Sequence, residues 1–317
     1  MAYDQESFLA GVAAGRNMRS WPKMDWSDSE DLLFTVWIDP VQTSMFYVFQ
    51  TYLVNGTIDW GDGTVDTKQQ RQLLRSTHTY AVPGIYQIRI HGILLAVKWS
   101  QLVLDPSDQA SLDCLISIDT PIPEIPEAYR PYVVWGTQSS GGMFEGARNL
   151  VSIPPDLYRA YTREGVYAVV GANMFWGCES LPAIPKHLFR DVNFRGRRQG
   201  GELRPPQVQG WFGYCKSLTT IPDDLFRNPC FEETGGVSSL FAGCENLKNF
   251  PDDLFLNFPS ARAFVGTFEG CVSITKRVPE LWNLYPDATE HYHCFYGCVN
   301  AANYAAIPAD WGGPGSD

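Results

Sequence analysis

Charged side chains are scarce in this chain, at 19%, and the basic ones are the scarcer kind: 24 Lys and Arg stand against 35 Asp and Glu, a formal net charge of -11. A phosphate backbone needs clustered Lys and Arg to displace its counterions, so no nucleic-acid partner is expected. No apolar run approaches the roughly 18 residues that cross a bilayer, which predicts no membrane insertion. Residues 1–22 carry Asp4 and Glu6 ahead of a short apolar patch, whereas a secretory signal leads with positive charge, so export by the general secretory route is not expected. Also missing are a Gly-x-Ser-x-Gly elbow, a phosphate-cradling glycine-rich loop and a convincing isolated pair of carboxylates. Their absence points to a protein that is not an enzyme and carries no cofactor.

What is present is globular in kind. Hydrophobic residues make up 44% of the 317 and aromatics 14%, with 10 Trp, enough for two ordinary domains or one small domain and a repeat array. Eight cysteines in a chain this long, with no export signal, are expected to be mostly thiols. Five of them fall at one recurring position, which is a packing signature.

The recurring unit reads Phe-x-x-Cys-x-x-Leu. Its copies are Phe175/Cys178/Leu181, Phe212/Cys215/Leu218, Phe241/Cys244/Leu247 and Phe268/Cys271/Ile274, with degenerate copies Phe144/Ala147/Leu150 and Phe295/Cys298/Ala301. Successive Phe positions lie 31, 37, 29, 27 and 27 residues apart. Each copy is followed by an apolar-Pro step such as Ile221-Pro222 or Phe250-Pro251, then by an Asp-rich Leu-aromatic unit, best seen in Asp223-Asp224-Leu225-Phe226 and Asp252-Asp253-Leu254-Phe255. Such a unit cannot bury an apolar face alone, but stacked copies bury a continuous one and turn each column into a ladder. Small Cys and Ala at one column suit a tight coil interior. Pro followed by paired Asp predicts the start of a short helix in every unit. The stretches "LFAGCENLKNFPDDLF" and "WFGYCKSLTTIPDDLF" resemble the BspA-like leucine-rich repeats of bacterial, protist and phage surface proteins over roughly residues 143 to 311. That resemblance implies adhesion or recognition, with no catalytic residues to carry over.

Upstream, Ile58-Asp59-Trp60-Gly61-Asp62-Gly63-Thr64 is followed by His78-Thr79-Tyr80, by Pro83-Gly84-Ile85-Tyr86 and by the alternating run Gln87-Ile88-Arg89-Ile90. Asp-Gly and Pro-Gly mark tight turns between short strands. These residues resemble the PKD-type fold over about residues 28 to 105, which implies a β-sandwich serving as a spacer or contact module. Asp59 and Asp62 could be weighed as calcium ligands, but the resemblance makes them turn residues. The stretch "ESFLAGVAAGRNMRSW" is amphipathic enough for one helix and resembles leader segments of tailed-bacteriophage structural proteins; a docking helix against the sandwich is the other reading.

Candidate sites are few. His291, His293, Cys294 and Cys298 have metal-like composition, yet Cys298 belongs to the ladder, and on a strand His291 and His293 would face away from Cys294, so no metal is assigned. Arg190, Arg195, Arg197, Arg198 and Arg204 lie in the longest insertion, where they read either as a contact with an acidic partner or as a solvated loop. Trp176, Tyr214 and Tyr296 lie beside the ladders and read either as surface aromatics or as core.

The fold class expected is thus a multidomain α+β chain: a helical docking segment over 1–27, a PKD-like antiparallel β-sandwich over 28–110, a linker and cap over 111–142, and a leucine-rich-repeat solenoid of about six repeats over 143–317. The function expected is that of a non-enzymatic virion structural protein of a tailed bacteriophage. It would assemble in the host cytoplasm as a homo-oligomer or with other virion proteins, and be exposed on tail or capsid to contact a host-surface glycan or protein. A bacterial cell-surface adhesin or a protein-interaction scaffold is the alternative.

Overall fold

The computed structural model describes residues 30–38, 47–69, 74–98, 112–124, 126, 142–162, 168–169, 171–195, 198–199, 202–203, 206 and 208–316. The helix expected over residues 1–27 lies outside them and gains no support.

The first half is one antiparallel sheet of six strands: β1 (Leu32–Ile38), β2 (Tyr47–Asp59), β3 (Val65–Lys68), β4 (Leu74–His78), β5 (Gly84–Lys98) and β6 (Leu115–Ile118). Their order is β3-β2-β5-β1-β6, with β4 also paired to β2. β1 reads LLFTVWI, with no polar alternation, because both its edges are paired and nearly every side chain is buried. The long β2 and β5 change register between Tyr52 and Leu53 and again between Val54 and Thr57. At the second shift Asn55 has φ 49° and, opposite it, Gly92 has φ 115°. The backbones approach so closely there that a Cβ on Gly92 would sit 2.6 Å from Gly56 Cα. Bulges of this kind coil long strands, and the described strands form a single bent sheet instead of the two-layered sandwich expected.

The Trp-Gly-Asp-Gly turn is a bonded unit. Asp59 Oδ1 accepts from Gly61 N at 2.9 Å, and Asp62 Oδ1 accepts from Thr64 N at 3.0 Å and from its hydroxyl at 2.6 Å. Asp62 Oδ2 lies 2.7 Å from His78 Nε2, the His78 ring stacks on buried Trp60, and Tyr80 donates its hydroxyl to Trp60 O. Burial pushes the Asp62 carboxyl up, but hydrogen bonds from Thr64 and His78 outweigh it and hold the group below its ordinary value of 3.8. A carboxylate with a depressed folded pKa adds stability that is present above the unfolded value and lost as pH falls through the folded one. Thermal melts of Asp62→Asn beside the parent chain should therefore show a gap at pH 7 that closes on acidification below the ordinary carboxylate range; a gap that stays constant would remove this role for Asp62.

The second half corrects the expected fold class. Among the described residues helix is confined to short pieces: one α-helical turn, α1 (Leu281–Leu284), follows Pro279, a 3-10 turn, Ala309–Trp311, follows Pro308, another lies at Arg159–Tyr161, and no helix starts directly after Pro185, Pro222 or Pro251. It is therefore not the leucine-rich-repeat solenoid of an α+β protein. The units are runs of hydrogen-bonded turns: Cys178 N reaches Phe175 O at 3.1 Å and Leu181 N reaches Cys178 O at 3.1 Å, and the same spacing recurs through Cys298 and Ala301. Successive turn units lie one on another as rungs. Phe144 N donates to Met174 O, Phe175 N to Trp211 O, Phe212 N to Leu240 O, Phe241 N to Thr267 O and Phe268 N to Cys294 O. The Phe rings of neighbouring rungs stack with centroids 5.4 to 5.9 Å apart and planes within 9 to 20°. Short β7 (Ala168–Val169) pairs in parallel with β8 (Phe194–Arg195), and β9 (Arg198–Gln199) pairs with β10 (Glu202–Leu203) inside the long insertion.

Each ladder cysteine ties its rung to the one before. Cys178 Sγ donates to Phe144 O, Cys215 to Phe175 O, Cys244 to Phe212 O, Cys271 to Phe241 O and Cys298 to Phe268 O, at 3.1 to 3.3 Å. All eight cysteines are thiols, and seven are buried. Burial pushes the Cys244 and Cys298 thiols up to about 12, so almost no thiolate is present at neutral pH. Iodoacetamide should modify only half-buried Cys230 in the native protein and all eight residues after denaturation, read by intact mass. Rapid native labelling of the ladder positions would contradict this packing.

The paired Asp residues do not start helices. Asp223 reaches Lys186 at 3.1 Å, Asp224 reaches His187 at 2.5 Å, Asp253 reaches Arg227 at 3.3 Å and Asp252 reaches Lys276 at 2.5 Å. The pairs thus run from unit to unit along one side of the stack, where solvent leaves each worth little.

Sheet and stack share one apolar core. β6 is paired with β1 on one edge, and on the other Val151 N donates to Ile116 O and Ile118 N to Ser152 O. Part of the segment expected to be a linker is thus a strand common to both halves.

Candidate functional site

Two positions adopt left-handed backbone in five of the six rungs, and one in the first. Two residues after the ladder Phe stand Gly146, Gly177, Tyr214, Gly243, Gly270 and Gly297, all with positive φ; two residues before it stand Asn173, Gly210, Ser239, Gly266 and His293, again with positive φ. Glycine is the residue for such positions, since an L side chain there costs about 1–2 kcal/mol. The repeated Phe-x-Gly-Cys spacing carried this signal in the sequence, but not its consequence: these columns give one face of the stack few large side chains, with Gly210, Gly213 and Gly266 buried against the side chains of Asn173, Trp176 and Glu269, and Gly243 and Gly270 half-buried.

Tyr214 breaks the glycine column, at φ 56°, and its ring lies against Gly243, where an added Cβ would meet Tyr214 Cδ1 at 2.7 Å. The neighbouring rung supplies Trp176, whose ring rests on Gly213, with an added Cβ there 2.3 Å from the indole. The two rings meet with centroids 4.8 Å apart. Three rungs further on, His293, at φ 58°, stacks on Tyr296 at 4.7 Å and touches exposed Tyr292 at 5.0 Å. Tyr214 and Tyr296 are 44% and 43% exposed, so both are surface aromatics, while Trp176 is half-buried. Between the two ring clusters the same columns hold Ser239, Ala242, Gly243, Gly266, Glu269 and Gly270, of which Ala242 and Gly266 are buried. Glu145 accepts from Gly142 N and from Asn173 Nδ2 at 3.0 Å each, and Glu269 lies 3.9 Å from His293.

Because the other five residues of the column are glycine, Tyr214→Gly should stabilise the fold by about 1 kcal/mol. Urea denaturation would read this gain; a loss of stability would mean that the Tyr214 ring holds the stack together.

The other candidates are dispersed. Arg190 is exposed and lies 3.7 Å from Asp191. Arg195 and Arg198 sit in β8 and β9, with side chains outside the description, and Arg197 and Arg204 lie outside the described residues. His291 stacks on Trp311, with centroids 4.4 Å apart and planes 1° apart, His293 turns to Tyr296, and Cys294 is buried against Thr267. Among the described residues no three His, Cys, Asp or Glu side chains gather as a metal site would need, and no helix is long and apolar enough to cross a membrane. Comparison of the chain with family models, with curated proteins and with solved structures finds no match.

Proposed function

We propose that the chain is a non-enzymatic virion structural protein of a tailed bacteriophage, exposed on tail or capsid, which serves host adhesion or decoration through the glycine-rich, ring-bearing face of its stacked turns. The observation that carries the binding role is the outward pair of ring clusters, each of which holds a non-glycine residue in left-handed backbone, Tyr214 and His293. Strain of that kind persists where the surroundings impose it, and it gathers at contact sites. The virion setting rests on the phage-like leader phrase and on the turn motif and repeats that resemble surface modules. Mass spectrometry of density-purified particles from the source culture should find this chain at stoichiometric levels. Recovery only from cell envelopes or cytosol would overturn the virion setting in favour of an adhesin or a scaffold.

A further inference from the structure

Trp176 and Tyr296 hold the same position, one residue after the ladder Phe, so the clusters Trp176/Tyr214 and His293/Tyr296 stand on one side of the stack, and the floor between them is Gly213, Ala242 and Glu269. Tyr214 and Tyr296 are surface side chains, and the buried Phe ladder runs past both clusters without them. Two such clusters in line describe an elongated ligand that touches both and passes over the floor.

Its chemistry follows from what the face offers. The columns two before, one after and two after the ladder Phe contain no Lys or Arg in any rung, and they contain Glu145 and Glu269. With the net charge of -11, an anionic polymer is disfavoured here. A flat apolar partner would want a continuous hydrophobic floor, and Glu269 interrupts this one. Aromatic rings flanked by carboxylate, amide and hydroxyl groups, from Glu145, Asn173, Ser239 and Glu269, instead suit a ligand that is apolar on its ring faces and hydroxylated at its edges.

We infer that this face binds a neutral glycan in extended form along the stack, with sugar rings stacked on the Trp176/Tyr214 and His293/Tyr296 clusters. The inference rests on the binding-face reading above and adds the ligand class to it. Two linked contact points make chain length the signature: a short oligosaccharide reaches one cluster, and a long one reaches both at high effective concentration.

The test is an array of neutral and anionic bacterial polysaccharides, with neutral oligosaccharides from disaccharide to octasaccharide, probed with the full chain and with Tyr214→Gly and Tyr296→Ala. Tyr214→Gly restores the residue of its own column and Tyr296→Ala trims an exposed ring, and circular dichroism checks that each still folds. The expected result is retention of neutral glycans only, with affinity rising at least about tenfold from disaccharide to octasaccharide, and with either variant cutting the octasaccharide back to near the disaccharide level. Retention of no neutral glycan, or retention indifferent to length and to both variants, would overturn the inference. Binding of an anionic polysaccharide, or of a protein, that still depends on Tyr214 and Tyr296 would also overturn it while leaving the binding face itself in place.

Discussion

Phe241→Ala should destabilise the stack by about 3–5 kcal/mol, the range for emptying a fully packed Phe site. The ring is completely buried and stacks on Phe212 at 5.9 Å and on Phe268 at 5.6 Å, so its removal opens a void in the middle of the ladder with neighbours held on both sides. Those neighbours cannot collapse inward, because the backbone of each rung is bonded to the next: Phe241 N to Thr267 O, and Phe212 N to Leu240 O. The same truncation at Val299, which is 56% exposed, should cost a few tenths of a kcal/mol at most. Equilibrium denaturation of the two variants side by side checks the contrast, and equal losses would show that the ladder is not where the stack stores its stability.

A comparably large loss is expected from Gly92→Ala, at the crossing of β2 and β5. Two penalties combine there. The backbone is held at φ 115°, a conformation that L residues adopt at a cost of about 1–3 kcal/mol. The new methyl would also lie 2.6 Å from Gly56 Cα and 2.9 Å from Asn55 O, and these are backbone atoms that cannot swing aside. Forcing atoms into packed space adds about 1–3 kcal/mol. Gly63→Ala separates the two penalties, since Gly63 also has positive φ, 93°, but faces open space. Its loss should match the conformational part alone. If the two variants lose the same stability in urea melts, the close approach of β2 and β5 contributes nothing.

The local chemistry of this chain could be read from its residues better than its architecture could. The Asp59 and Asp62 turn, the tight spacing of Phe and Cys, and the thiol state of the cysteines follow from residue type and period, because neighbouring residues decide them. Tyr214 and Tyr296 could be singled out as ring-bearing positions, but their exposure was open until the left-handed positions of the rungs fixed which way they face. Helix after Pro222 and Pro251 was the wrong expectation for a physical reason. Pro followed by two Asp is good helix-start chemistry in isolation, but Leu225, Phe226, Leu254 and Phe255 are all drawn into the core, and a helix would have carried part of that set round to solvent. A turn buries them together and frees the Asp carboxylates to reach Lys186, His187, Arg227 and Lys276. The sandwich failed for a similar reason: strand count and turn spacing were legible, but the coiling of β2 and β5 through Asn55, Gly56 and Gly92 depends on contacts across strands far apart in the chain.

The strand common to both halves has a mechanical consequence. A pull on the proposed binding face would travel down the rungs into Val151 and Ser152, and from there through their backbone hydrogen bonds into β6 and the sheet. Those bonds, together with Ile122 N to Leu157 O and the Asn149 side chain to Asp113 O, form a row that must yield together, not singly. Tension arriving at a ligand on that proposed face would reach the sheet through this row of hydrogen bonds and act as torque on whatever anchors the other half.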